Sequence, residues 1–260
     1  MNKKSFSFLT GLILFILLGT SVQGTGVDIG SLQGRSDGEI KKLAKTLSTV
    51  TSPKVLIHNE SLGWSKVNLG FEQTLYHLSN DVQKIFQSKA IGHTDLNKTS
   101  YLAFMLARMG LPLGVDTELA LFLPGAVDKF SVISTSFKWV PSFLSKDKFF
   151  CTPAIRQSYT HATFSQYRSN SWTTDLILST QKIRGISLYG GGSLIKVFGE
   201  YNRGAIRATH IRKPNLWASR YLFGVDHKFE LFKKADFAVA LETVFMRESQ
   251  SYSLKTVLQF

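Results

Sequence analysis

The chain has 260 residues and a formal charge of +13, from 31 Lys and Arg against 18 Asp and Glu. A single cysteine, Cys151, excludes a disulfide-stapled scaffold and a cysteine-based structural zinc site. The excess of cations suits an anionic partner, yet they are dispersed without a recognisable reading motif, which sets nucleic acid aside.

Lys3 and Lys4 precede an apolar run from Phe8 to Leu18, and a small, polar stretch from Gly19 to Gly24 comes next. This is the pattern of a secretory signal peptide. Val22 and Gly24 meet the small-residue requirement before a cut, so residues 1–24 are expected to be removed. The run falls short of the ~20 apolar residues of a spanning helix. Loss of Lys3 and Lys4 leaves 29 cations against 18 anions, about +11 over the remaining chain. No cysteine stands after the cut to carry a lipid.

Residues 25–64 form a lead, glycine- and serine-rich up to residue 35. Ser36 and Glu39 make a capping box, and Ile40, Leu43, Leu47 and Val50 recur on one face with Lys41, Lys42 and Lys45 outside it. A short amphipathic helix is expected. Its apolar face is expected to cover one end of the domain formed by the rest of the chain; plugging a lumen or lying on a membrane surface is the sharper alternative.

From residue 65 to 260 the hydrophobic period changes from 3.6 to 2. Val67, Leu69 and Phe71 alternate with polar neighbours, as do Leu119 and Leu121, Phe137 and Trp139, Leu176 and Leu178, Phe223 and Val225, and Val239 and Leu241. A soluble sandwich also alternates, but its strands usually run ~5–6 residues. These segments keep their period for about nine to twelve, the length of a tilted strand crossing a bilayer. The outward row ends repeatedly in an aromatic, as at Trp139, Trp172, Tyr221 and Tyr252. The expected fold is all-β, an antiparallel transmembrane β-barrel of about ten strands, with eight to twelve compatible.

The ten segments lie near 66–77, 100–108, 114–123, 131–142, 153–166, 172–182, 187–199, 220–231, 236–246 and 251–260. An even count puts both termini in the periplasm. Met109 to Leu113, Ile183 to Ile186 and Phe232 to Ala235 are then short periplasmic turns, and Ser79 to Lys98 and Glu200 to Ser219 long external loops. Leu144 to Thr152 is long for a periplasmic turn, and Val82 to Ile91 could itself be a helix or strand.

The last ten residues, Ser251 to Phe260, place Tyr252, Leu254, Leu258 and Phe260 at alternate positions, with Thr256 the one softer member. This resembles the C-terminal insertion signal of bacterial outer-membrane barrels. The resemblance implies insertion by the barrel assembly machinery and a Gram-negative outer membrane, with its lipids and lipopolysaccharide as surroundings. The stretch Leu188-Tyr-Gly-Gly-Gly-Ser is similar to strands of small barrels of the outer-membrane protein A type.

With this alternation the inward row carries Lys66, Glu72, Asp116, Glu118, Lys138, Asp175, Lys196, Asp226, Lys228, Glu230, Glu242 and Lys255. Charges of both signs on neighbouring strands are expected to pair in a filled polar core, since an unpaired buried charge costs several kcal/mol. They could instead line a narrow aqueous path. Catalytic sets are weak. His161 and Ser165 are too far apart along a strand to touch, and His227, near Glu242, falls on the outward row. No enzyme activity, cofactor or metal is expected. Arg203, Arg207, His210, Arg212 and Lys213 load one external loop with cations that could bridge lipopolysaccharide phosphates. Asn59-Glu-Ser and Asn97-Lys-Thr match a three-residue glycosylation pattern that recurs by chance. The expected role is structural or narrow-channel; binding of an anionic surface partner by the basic loop is the alternative, and a lipid-modifying enzyme is less favoured.

Overall fold

The computed structural model describes residues 36–52, 54, 61–87, 99–123, 131–141, 150–163, 167–201, 213–232 and 235–260. It contains ten strands: β1 (Val67–Leu78), β2 (Thr99–Gly110), β3 (Val115–Phe122), β4 (Ser131–Trp139), β5 (Cys151–Thr163), β6 (Tyr167–Thr180), β7 (Ile186–Tyr201), β8 (Asn215–Phe232), β9 (Ala235–Phe245) and β10 (Ser249–Gln259). Each pairs antiparallel with its neighbours in sequence, and β10 returns to β1 to close the barrel. Helix α1 (Asp37–Thr51) precedes the strands, and α2 (Asn80–Gln87) comes after β1.

The wall is built on the alternation that the sequence carries, with its polarity inverted relative to a water-soluble barrel. Asp175 is fully buried while the adjoining Leu176 is 60 % exposed. Lys138 is buried between the exposed Phe137 and Trp139. Apolar side chains therefore cover the outside, while Asp175 and Lys138 point inside.

Register sets the width. From Asn68 the paired positions pass through Arg108, Glu118, Ser136, Ser158, Thr173, Ile195 and Ala218; continued around the wall, they meet β1 again at position 80, a stagger of twelve residues. For ten strands such a stagger implies a tilt of ~40° and a backbone diameter of about 20 Å. That bore accepts one α-helix, which is about 10–12 Å across with its side chains.

α1 occupies the bore. Ile40, Leu43, Ala44 and Leu47 pack against Phe104, Leu106, Ala120, Val132, Ala162, Tyr167 and Tyr201 of the wall. The expectation that α1 covers one end is thus corrected. Strands β2 and β5 present apolar or small inward side chains where α1 lies, and the helix buries its apolar face there rather than across a mouth.

The two mouths differ. The near mouth holds the start of β1, the end of β10 and short links, including the turn Leu111–Gly114, in which Leu113 and Gly114 take φ values of 63° and 75°. The far mouth carries α2 and the connection between β7 and β8. That connection is shorter than expected, because β7 runs to Tyr201 and β8 begins at Asn215. The segment near Val82 is helical, as α2.

Gly110 marks where the lumenal segment turns into β1. Its N–H donates to the Lys66 carbonyl at 2.9 Å, and a Cβ placed on it would lie 1.8 Å from the Gly63 carbonyl oxygen. Gly110→Val is expected to lower stability by about 1–3 kcal/mol, as for other overpacked sites. The check is the urea midpoint of the refolded protein.

Candidate functional site

Residues 36–62 trace a path from one mouth to the other. The capping box of Ser36 and Glu39 fixes the start of α1. The Tyr201 hydroxyl, at the far end of β7, donates to the Ile40 carbonyl at 3.3 Å. Further down, Ser48 Oγ bonds Ser169 Oγ at 3.0 Å, and the Tyr76 hydroxyl donates to the Val50 carbonyl. Below the helix, the Lys54 carbonyl accepts from Arg156 Nη1 and from Lys255 Nζ, each at 2.7 Å. Leu62 N–H donates to Asp116 Oδ1 at 2.8 Å, beside the near mouth.

At the far mouth α2 leans on α1. Val82 is buried in the same apolar cluster as Ile40 and Leu43. Lys42 Nζ lies 2.8 Å from Asp81 Oδ2, and this ammonium holds the exposed Asp81 carboxyl below the usual carboxylate range.

The bore below α1 is a charge cluster. Among the described residues the buried cations are Lys54, Arg108, Lys138, Arg156, Arg220 and Lys255, and the buried anions are Glu72, Asp116, Glu118, Asp175, Asp226 and Glu242. The two sets are equal in number, so this part of the bore is close to neutral although the chain is strongly basic. Asp175 bridges two arginines, at 2.7 Å from Arg156 Nε and 3.3 Å from Arg220 Nη2, and also accepts from Ser193. Lys255 lies 3.2 Å from Glu72, while Asp116 accepts from Arg108 with Lys138 at 3.5 Å. The Tyr189 hydroxyl donates to Glu242 at 3.1 Å. Paired charges of this density fix the wall strands to one another and to the lumenal chain, because removing either partner leaves the other buried and uncompensated.

Of the charges expected in the lumen, Glu72, Asp116, Glu118, Lys138, Asp175, Asp226, Glu242 and Lys255 are buried there. Lys228 is half-buried and pairs with Asp236 at 2.5 Å. Two placements are corrected. Lys66 is exposed and precedes β1 at the near mouth, outside the alternating run. Lys196 faces outward, because β7 puts Ile195 and Val197 inside, and it sits over the Phe198 and Trp217 rings. The Glu230 side chain lies outside the described residues, as do Ser165, Arg203, Arg207, His210 and Arg212. Lys213 is exposed, with Nζ 3.8 Å from Glu200.

Sequence reasoning missed Arg108, Arg156, Arg220 and Lys54. Arg108 ends a strand that is apolar on both faces, so no alternation marks its side. Arg156 adjoins the polar Gln157. Arg220 sits well inside β8, five residues from its start, whereas the expected segment begins on it. Lys54 belongs to the lead.

His161 is on the outer wall, hydrogen-bonded to Asn170 and Thr163, and His227 stacks edge-on against Phe229 with ring centres 4.0 Å apart. Glu242 points into the bore, so the wall separates it from His227. His161 stands in line between the Thr163 hydroxyl, 3.2 Å from Nε2, and Asn170 Oδ1, 2.7 Å from Nδ1, whereas His227 meets no hydroxyl or thiol in the hydrogen bonds of the described residues. Among the described residues no cluster of His, Cys, Asp and Glu could hold a metal ion, and no helix is long and apolar enough to cross a membrane. A groove of about 570 Å³ opens on the outer wall between Phe223, Leu241, Tyr252 and Leu75.

A closed antiparallel barrel with an apolar outside, a charged inside and strands long enough to cross a bilayer is an outer-membrane-type β-barrel. The chain is similar to solved members of that class. It covers all of an outer-membrane channel from Pseudomonas putida F1 with 80% of its own length, at 11% identity and a TM-score of 0.43. With 86% of its length it covers 95% of the translocator domain of the autotransporter NalP from Neisseria meningitidis, at 6% identity and 0.41. With 76% it covers all of the attachment invasion locus protein Ail of Yersinia pestis, at 10% identity and 0.29. No protein-family model and no curated protein matches the sequence.

Asp175→Ala leaves both arginines without their shared carboxylate. It is expected to cost about 3–5 kcal/mol, whereas Asp81→Ala, at an exposed pair, should leave the urea midpoint nearly unchanged. Unfolding of the two variants in urea, monitored by tryptophan fluorescence, checks the contrast.

Proposed function

We propose that this protein is a structural barrel of the Gram-negative outer membrane whose pore is closed by its own N-terminal segment. The observation that carries this reading is the clamp on Lys54, whose carbonyl is held from opposite sides of the wall by Arg156 and Lys255 directly below a helix that fills the bore. The mouth bearing α2 and the connection between β7 and β8 faces outward, and the mouth with both barrel ends faces the periplasm, as is usual for bacterial barrels. The row Tyr252, Leu254, Leu258 and Phe260 closes the barrel against β1 and supports insertion by the barrel assembly machinery.

A second reading adds binding of an anionic surface partner, and the exposed Lys213 at the outward mouth favours it. In it Arg203, Arg207 and Arg212 belong to the same contact surface. Their joint replacement by alanine is then expected to weaken binding to lipopolysaccharide without changing the folded yield.

The closed-pore reading is tested by single-channel recording in a planar lipid bilayer. The intact mature barrel, shown to be folded by a heat-dependent gel shift, is expected to be silent, and deletion of residues 36–62 is expected to produce discrete conductance steps. Steps from the intact protein would overturn the closed pore and restore the narrow-channel role.

A further inference from the structure

We propose that Asn170, Lys196 and Arg168 on the outer wall bind the phosphate of a lipid A headgroup; this rests on the outer-membrane reading above.

The site is built by a chain of hydrogen bonds. Asn170 Oδ1 can only accept, so the ring proton of His161 sits on Nδ1 beside it, and Nε2 accepts from the Thr163 hydroxyl at 3.2 Å. Nδ1 then donates to Asn170 Oδ1 at 2.7 Å, and the Tyr159 hydroxyl donates to the same oxygen at 3.0 Å. Two donors on one oxygen fix the orientation of the amide. The Asn170 NH2 group, which makes no hydrogen bond among the described residues, is left facing out as a positioned donor.

Register brings two cations to it. Asn170 pairs with Phe198, and Trp172 with Lys196, so Lys196 is the diagonal neighbour of Asn170 at roughly 7–8 Å between backbones. Arg168 lies two residues further along β6, ~7 Å away on the same face. Both long side chains reach a phosphate seated over Asn170. Among the described residues the carboxylate in this patch is Glu200, which is in register with Arg168 and lies 3.8 Å from Lys213. Arg168, Lys196 and Lys213 against Glu200 leave an excess of two positive charges.

The height is that of a headgroup. Ile186, at the near mouth, and Lys196 are ten residues apart on β7, about 25 Å along the barrel axis at the tilt given above, which is the height of the apolar band of such barrels. Lys196 belongs to the cross-strand row Tyr159, Trp172, Lys196 and Trp217. Its ammonium lies 5.0 Å from the Phe198 ring centre and 5.5 Å from that of Trp217, so the two rings hold its head in place on the outer wall. Below it the wall is low. A Cβ at the outward Gly192 would have nothing closer than 4.0 Å, and Ser219 leads from Lys196 towards it, between Leu194 and Tyr221. An acyl chain fits that shallow track. A phosphate on an acylated sugar of the outer leaflet has the charge and the tail that this arrangement takes.

The test uses the refolded mature protein in a zwitterionic detergent, with retention of lipid A, phosphatidylglycerol and inorganic phosphate each read by native mass spectrometry. The wild type is expected to retain one lipid A. Asn170→Asp keeps the oxygen that Tyr159 and His161 use but replaces the donor with a negative charge, and Lys196→Ala removes a cation; each is expected to weaken retention about tenfold or more. Lys84→Ala, a cation on α2 away from the wall, is expected to change nothing. Equal retention by wild type and Asn170→Asp would overturn the site, as would phosphatidylglycerol or inorganic phosphate held as well as lipid A. A wild type that fails to enter lipid vesicles would instead overturn the outer-membrane reading and the site with it.

Discussion

A ten-strand wall encloses more space than its own side chains fill, and how that space is occupied decides the rest of the molecule. Here the chain supplies its own filling. The upper bore is apolar because a helix lies there, and the lower bore is charged because the segment below α1 leaves backbone groups that the wall must satisfy. The Lys54 carbonyl would be an unsatisfied acceptor without Arg156 and Lys255, and the two cations would be unsatisfied without Asp175 and Glu72. Plug and wall therefore depend on each other for their hydrogen bonds.

This interdependence explains a contrast in charge. The chain as a whole is strongly basic, yet its buried charges balance. Excess cations are tolerated where water or lipid phosphate can meet them, as at Lys66, Lys213 and Lys196. Inside the bore, each cation is retained with carboxylates close by, since the cost of an isolated charge there is high.

Much of the fold was legible because a membrane strand leaves a long record. Ten segments of period two, an aromatic last residue and a capping box at Ser36 were enough to place all ten strands and α1. The position of α1 was not legible, because its apolar face fits the inside of a bore and the end of a barrel equally well. β2 offered the missing clue: Leu102, Phe104 and Leu106 point inward in an unbroken apolar row, and such a row needs an apolar partner in the lumen. Lys196 was misplaced for a related reason. Periodicity in β7 is blurred by Gly190, Gly191 and Gly192, and a lysine was assigned to the polar side by type rather than by register. The network of Thr163, His161, Asn170 and Tyr159 was also out of reach, since it joins two strands whose pairing no single sequence displays.

The threaded segment also bears on assembly. α1 enters at one mouth and the chain rejoins the wall at the other, so the folded state is a strand passed through a ring. Tyr76, Arg156 and Arg220 are buried in the bore, so a formed helix threaded through a closed barrel would have to displace them. The segment is accommodated most simply if the sheet curls around it and the ladder between β1 and β10, the pair most distant in sequence, zips last. The seam that completes the barrel is then also the step that imprisons the chain, and the order of folding is dictated by topology before any energy is considered.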